Sequence, residues 1–122
     1  MTDAFLAMLF AGDDLTNPAV LADFDAGRPE FVKQCHTLAR ELMARQIPQQ
    51  FWSADSEMVL TGVIACVCAM ANDPKDKTLM NVRKIVCDRV AIAYAFELMK
   101  ENKAIPAIEE LGIWYVSHFG NY

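Results

Sequence analysis

With 122 residues the chain is long enough for one domain that buries roughly two thirds of its unfolded surface without a covalent staple. Its net charge is −5, and the excess lies in the first half: residues 1–57 hold nine acids and four bases, residues 58–122 seven of each. A duplex-DNA reader presents a cationic face that releases counterions from phosphates, so this balance argues against tight nucleic-acid binding by the domain alone.

The four cysteines, Cys35, Cys66, Cys68 and Cys87, are spread through helix-like stretches rather than loops, the expected pattern for a reducing cytosolic compartment where thiols act as small apolar side chains. The opening apolar run ends at Gly12 and has no basic lead, so no export signal is expected.

Taken in order, Asp3 to Ala11 carries Phe5, Leu6, Met8, Leu9 and Phe10 between Thr2 as a cap and Gly12 as a stop, and is predicted to be a short helix. Asn17-Pro18 opens a brief helical turn through Phe24, closed by Asp25-Ala26-Gly27. Pro29 to Gln46 is predicted as an amphipathic helix. Phe31, Val32, Cys35, Leu38, Ala39, Leu42 and Met43 fall on one face, and Glu41 and Arg45 decorate the other in the favourable i, i+4 order. Phe51 and Trp52 are placed to plug the end of a bundle.

Ser53 to Asn72 is the stretch around which the rest is expected to pack. Ser53 is an N-cap, Asp55 and Glu57 supply negative charge to the first turn, and Asn72-Asp73-Pro74 is a stop. Between them the apolar residues leave no polar side, while Thr61 and Gly62 are small enough to admit a close neighbour. The uncharged run from Met58 to Ala71 is 14 residues, short of the roughly 18 to 20 that span a bilayer, so a buried core helix is expected.

Thr78 then caps a helix with Leu79, Val82, Ile85 and Val86 inward. Asp88 is a candidate cap for a further helix with Val90, Ala93, Tyr94, Phe96 and Met99 inward; periodicity leaves open whether these are one helix or two. Ile105-Pro106 begins a last helix bearing Ile108, Leu111, Trp114, Tyr115 and Phe119, with Gly112 placed to permit a close crossing. No segment alternates with period two in a way that a helix does not explain equally well. The expected fold is all-α: one domain, a bundle of about five to seven helices around the buried helix 53–72.

The chemistry-bearing residues are sparse. On a helix Cys66 and Cys68 point about 200° apart and cannot grip one ion, so core thiols are expected and no metal site. Cys87, beside Asp88 and Arg89, is the one thiol placed to be reactive. His36 and His118 are read as solvated or capping groups. No phosphate-binding loop is present and no catalytic pair stands out, so neither an enzyme nor a cofactor is expected. Lys75, Lys77, Arg83, Lys84 and Arg89 read as a solvated basic face. Asp13, Asp14, Asp23, Asp25 and Glu30 form an acidic zone, which serves capping and solubility or, in a sharper reading, docks a basic peptide.

Asn17-Pro18, Glu30-Phe31-Val32, Phe51-Trp52, Leu60-Thr61-Gly62 and Thr78-Leu79-x-x-Val82-Arg83 occur in an order that resembles the all-α domain of TraG-like coupling proteins of type IV secretion systems, over most of the chain from residue 17 onward. That resemblance implies a helical bundle inserted into a hexameric, membrane-anchored ATPase on the cytoplasmic side of the bacterial inner membrane, itself making no membrane contact. It also implies a role: binding secreted effector proteins or their translocation signals, or a relaxase with its DNA, and passing them to the ATPase ring. The nucleotide-binding loop would lie outside the segment. The apolar stretch at residues 3–11 does not match the pattern. Two other readings compete: a stand-alone helical interaction protein, as a homodimer that buries its first helix, and a small DNA-binding helical domain, which the charge balance disfavours.

Overall fold

The computed structural model describes residues 18–46, 53–71 and 73–119. Among them all regular structure is helical: α1 (Phe31–Gln46), α2 (Ala54–Met70), α3 (Leu79–Val86), α4 (Arg89–Lys100) and α5 (Pro106–Phe119), with short 3-10 turns at Pro18–Val20 and Pro74–Asp76. None of these helices is long and apolar enough to cross a membrane. The expected helix at residues 3–11 and the aromatic plug at Phe51 and Trp52 lie outside the described residues.

The centre is α2. Its start is fixed by Ser53, whose side chain accepts from the Ser56 N–H at 3.1 Å and so satisfies one of the donors a helix N-terminus leaves open. From Val59 to Cys68 every residue is buried, on all sides of the helix. Thr61 is the one hydroxyl in that run, and it donates back to the Glu57 carbonyl at 2.7 Å, so its burial leaves no polar group unpaired. The core around α2 is built by Phe31, Leu42 and Met43 of α1, Val82 of α3, Phe96 and Met99 of α4, and Ile108 of α5, all fully or almost fully buried.

Gly62 is where α4 comes in. A Cβ there would lie 2.4 Å from the Phe96 ring, which is itself stacked on Tyr115 of α5 at 4.2 Å and 9°. Gly112 does the same for the α4–α5 crossing, but against backbone: a Cβ would fall 2.1 Å from the Lys100 nitrogen and 2.7 Å from the Phe96 carbonyl oxygen. Both glycines thus provide the close approach expected of them.

The segment 79–100 is two helices. Thr78 Oγ1 accepts from the Asn81 N–H at 3.3 Å, and Asp88 Oδ1 accepts from the N–H groups of Val90 and Ala91 at 2.9 and 3.2 Å. Asp88 has extended backbone, φ −131° and ψ 112°, which ends one helix and starts the other. That cap also sets the phase of α4 and corrects the inward set expected for it. Phe96 and Met99 face the core with Ile92 and Ala95, whereas Val90 and Tyr94 are 78% and 66% exposed. The sequence of α4 is apolar enough that two three-four stripes fit, and only docking against α2 and α5 selects one.

α1 starts two residues later than expected, because the Phe31 N–H bonds to Arg28 O at 3.2 Å and keeps Pro29 in a turn.

Replacing Gly112 by Ala sets a helix-propensity gain of about 1 kcal/mol against a methyl group forced into the α4 backbone. The clash should win, because neither Lys100 N nor Phe96 O is a flexible tip. The expected net destabilisation is about 1–3 kcal/mol, read by urea unfolding of Gly112→Ala beside the unchanged protein; an unchanged or raised midpoint would contradict the crossing described.

Candidate functional site

Three places bring polar or reactive side chains together. The first joins α1 to α2. Glu57, in the first turn of α2, has a side chain only 15% exposed, and its Oε1 lies 2.8 Å from His36 Nε2 and 3.1 Å from Arg40 Nε. His36 and Arg40 are one helical turn apart on α1, so both reach the same carboxylate. His36, whose side chain is 41% exposed, is part-solvated as expected from sequence and in addition clamps α1 to α2. The signal available in the sequence was its position at the border of the apolar stripe, four residues before an arginine. The cluster contains no nucleophile, and its oxygen is committed to two donors, so it positions helices.

The second place is the thiol core. Cys35 on α1 and Cys66 and Cys68 on α2 are buried, and the Cys66 thiol donates to Met70 Sδ at 3.9 Å. Burial pushes Cys66 and Cys68 up to about 11, and it raises Cys35 as well, with the neighbouring Cys68 adding to the effect. Such thiols stay protonated and unreactive at neutral pH. Cys87 is half-buried where α3 ends. Among the described residues no group of three or more His, Cys, Asp or Glu side chains is placed to hold a metal ion.

The third place is a groove of about 430 Å³ between the turn at residues 18–24 and the outer side of α1. Val20, Phe24 and Leu38 give it an apolar floor, and Glu30, Lys33, Gln34, Thr37 and Glu41 line the rest. Gln34 lines the groove, and its Oε1 is shielded from solvent and has no hydrogen-bond partner.

Of the acidic residues expected to form a docking patch, Asp13 and Asp14 lie outside the described residues. Asp23, Asp25 and Glu30 are exposed but not equally free. Asp25 Oδ1 accepts from the Gly27 N–H at 2.9 Å, and Arg28 sits 3.7 Å from Asp25 and 3.9 Å from Glu30. Only Glu30 also lines the groove, where it is joined by Glu41, which sequence reading treated as surface decoration.

The basic stretch is likewise divided. Lys75, Arg83, Lys84 and Arg89 are exposed, whereas Lys77 is half-buried and donates to the Phe24 carbonyl at 2.8 Å, tying the first turn to the α2–α3 connection. His118 Nδ1 lies 2.9 Å from the Trp114 carbonyl in the last turn of α5, in keeping with a capping role.

The raised thiols make stability depend on pH. Their contribution is complete below the unfolded thiol pKa. Between about pH 9 and 11 the unfolded chain releases protons that the folded chain retains, so stability falls as pH rises, by up to about 1.4 kcal/mol per pH unit per thiol. Urea unfolding near pH 7.5 and near pH 10 checks this. The Cys66→Ala/Cys68→Ala variant, although less stable at the lower pH, should lose less stability on alkalinisation than the unchanged protein. Removing Glu57 as Glu57→Ala should cost about 1 kcal/mol, and a double-mutant cycle with Arg40→Ala should recover a coupling of the same sign.

No family model matches this chain, and no curated protein or solved structure matches it.

Proposed function

We propose that this chain is a non-catalytic recognition module of the kind that TraG-like coupling proteins of type IV secretion systems carry, binding cationic translocation signals of secreted proteins and handing them to an ATPase ring. In this reading the bundle belongs to a larger protein held at the cytoplasmic side of the inner membrane, and any DNA is carried by the relaxase that is recognised. Two kinds of observation support the reading. Of the residues that carry the resemblance, two described groups fall at structurally decisive points. Leu60-Thr61-Gly62 is the buried midpoint of α2 under Phe96, and Thr78-Leu79-x-x-Val82-Arg83 is a capped helix start with two core residues and an exposed cation.

The observation that carries most weight is the groove on α1. Its apolar floor suits the aliphatic stem of an arginine or lysine, and Glu30 and Glu41 give the lining two negative charges against the single positive charge of Lys33. The rest of the acidic zone, Asp13, Asp14, Asp23 and Asp25, would steer a basic segment towards that groove over longer range.

A second reading, a stand-alone helical interaction protein, is favoured by one observation, the apolar residues that α4 turns towards solvent.

Titrating fluorescent peptides from the termini of relaxases and secreted effectors against the 122-residue chain tests the first reading. Saturable binding should weaken by about tenfold on going from low to physiological salt, and Glu30→Lys/Glu41→Lys should weaken it by a similar factor at low salt. Absence of saturable binding, or affinity indifferent to both changes, would remove the proposal.

A further inference from the structure

α4 presents an apolar stripe that none of the described residues covers. Val90, Tyr94 and Leu98 stand four residues apart and are 78%, 66% and 37% exposed, so they run along one face for most of the roughly 18 Å that a 12-residue helix spans. Single exposed apolar residues are ordinary; an aligned set on one helix marks a contact surface.

The pattern of the stripe names its partner. It is symmetric about Tyr94, with an aliphatic residue four positions to either side. A second copy of α4 laid antiparallel therefore places Tyr94 on Tyr94 of the other copy, and Val90 of each copy on Leu98 of the other.

The charges agree with that direction. The C-terminal end of α4 carries exposed Glu97 and Glu101, and Lys100 reaches only as far as 4.0 Å from Glu97. The N-terminal end carries exposed Arg89, and the helix leading into it carries exposed Arg83 and Lys84. With Asp88 counted, the N-terminal end is still net basic through Arg83, Lys84 and Arg89, and at the C-terminal end Lys103 is taken by Glu109, so antiparallel pairing sets the acid-richer end against the basic one and opposes the helix dipoles, which parallel pairing does not.

We propose that the Val90–Tyr94–Leu98 face of α4 is a two-fold self-association surface, on which a second copy of this chain docks its α4 antiparallel. An isologous contact of this kind buries the same patch twice and closes on itself, so the product is a dimer and not a fibre. With one helix face as its apolar content the interface is at the small end of stable contacts, and the expected dissociation constant is about micromolar. The groove on α1 is on a different helix, and the inference stands or falls independently of the recognition role assigned to it.

Sedimentation velocity of the 122-residue chain across a concentration series measures this directly. The expected result is a shift from 13.6 kDa towards twice that mass as concentration rises. Tyr94→Glu should raise the dissociation constant by at least about tenfold; because Tyr94 is 66% exposed, its far-ultraviolet dichroism should match that of the unchanged protein. Val90→Lys, at a still more exposed position, is the second variant should Tyr94→Glu fail to fold. Glu97→Lys/Glu101→Lys and Arg83→Glu/Arg89→Glu should each dimerise poorly alone and recover when mixed.

A chain that stays monomeric throughout the series overturns the proposal. So does a dimer that none of these variants weakens, since a different surface would then hold it. Peptide binding at the α1 groove is read separately, so a monomer that binds peptide sinks this inference alone.

Discussion

The fold depends on one constraint: α2 must be wrapped on its whole circumference, because from Val59 to Cys68 it has no side that water could solvate. Burying a helix of that kind takes neighbours on every side, and each of α1, α3, α4 and α5 contributes part of its apolar face to the sheath. The gain is the removal from water of many aliphatic side chains, each worth about 1.5–3 kcal/mol when fully buried, set against the conformational entropy of ordering the surrounding chain. The close approach at Gly62 follows from the same demand. Without that glycine Phe96 could not lie flat between α2 and Tyr115, and the α4–α5 pair would stand off from the centre.

A sheath that tight restricts where polar chemistry can sit. Inside, the only heteroatoms on α2 are those that satisfy themselves locally: Thr61 through Glu57 O, and the thiols by remaining neutral. At the rim, Glu57 takes His36 and Arg40 together and locks the first turn of α2 to the middle of α1. Among the described residues, two features on the outside of the bundle are not consumed by folding. One is the acid-rimmed groove on α1 with its unpartnered Gln34 oxygen; the other is the apolar face of α4. As proposed, the first takes a charged segment and the second an apolar helix.

The acidic zone shows how a sequence cluster dissolves in three dimensions. Asp25 is drawn into its own turn by the Gly27 N–H, and Arg28 leans towards both Asp25 and Glu30. Glu41, eleven positions beyond Glu30, comes to share the groove because Glu30 stands in the turn just before α1 and Glu41 lies on the helix itself, both lining the same depression. Adjacency in the chain therefore overstated the patch near residue 25 and understated the contribution of α1.

By itself the sequence determined the all-α class, the central helix and its Ser53 cap, the Thr78 and Asp88 caps, the inward face of α1 and the two glycines at close crossings. Each of these rests on local chemistry: a hydroxyl or carboxylate beside open N–H groups, a 3.6-residue period, or a missing Cβ. Tertiary structure alone decided which side of α4 is buried, that His36 and Arg40 converge on Glu57, that Lys77 is spent on the Phe24 carbonyl, and that Gln34 is left with a buried acceptor. Those outcomes depend on which helices lie opposite one another, and a residue's own neighbours in the chain carry no information about that when two apolar stripes fit equally well or when the partner stands 17 or more positions away.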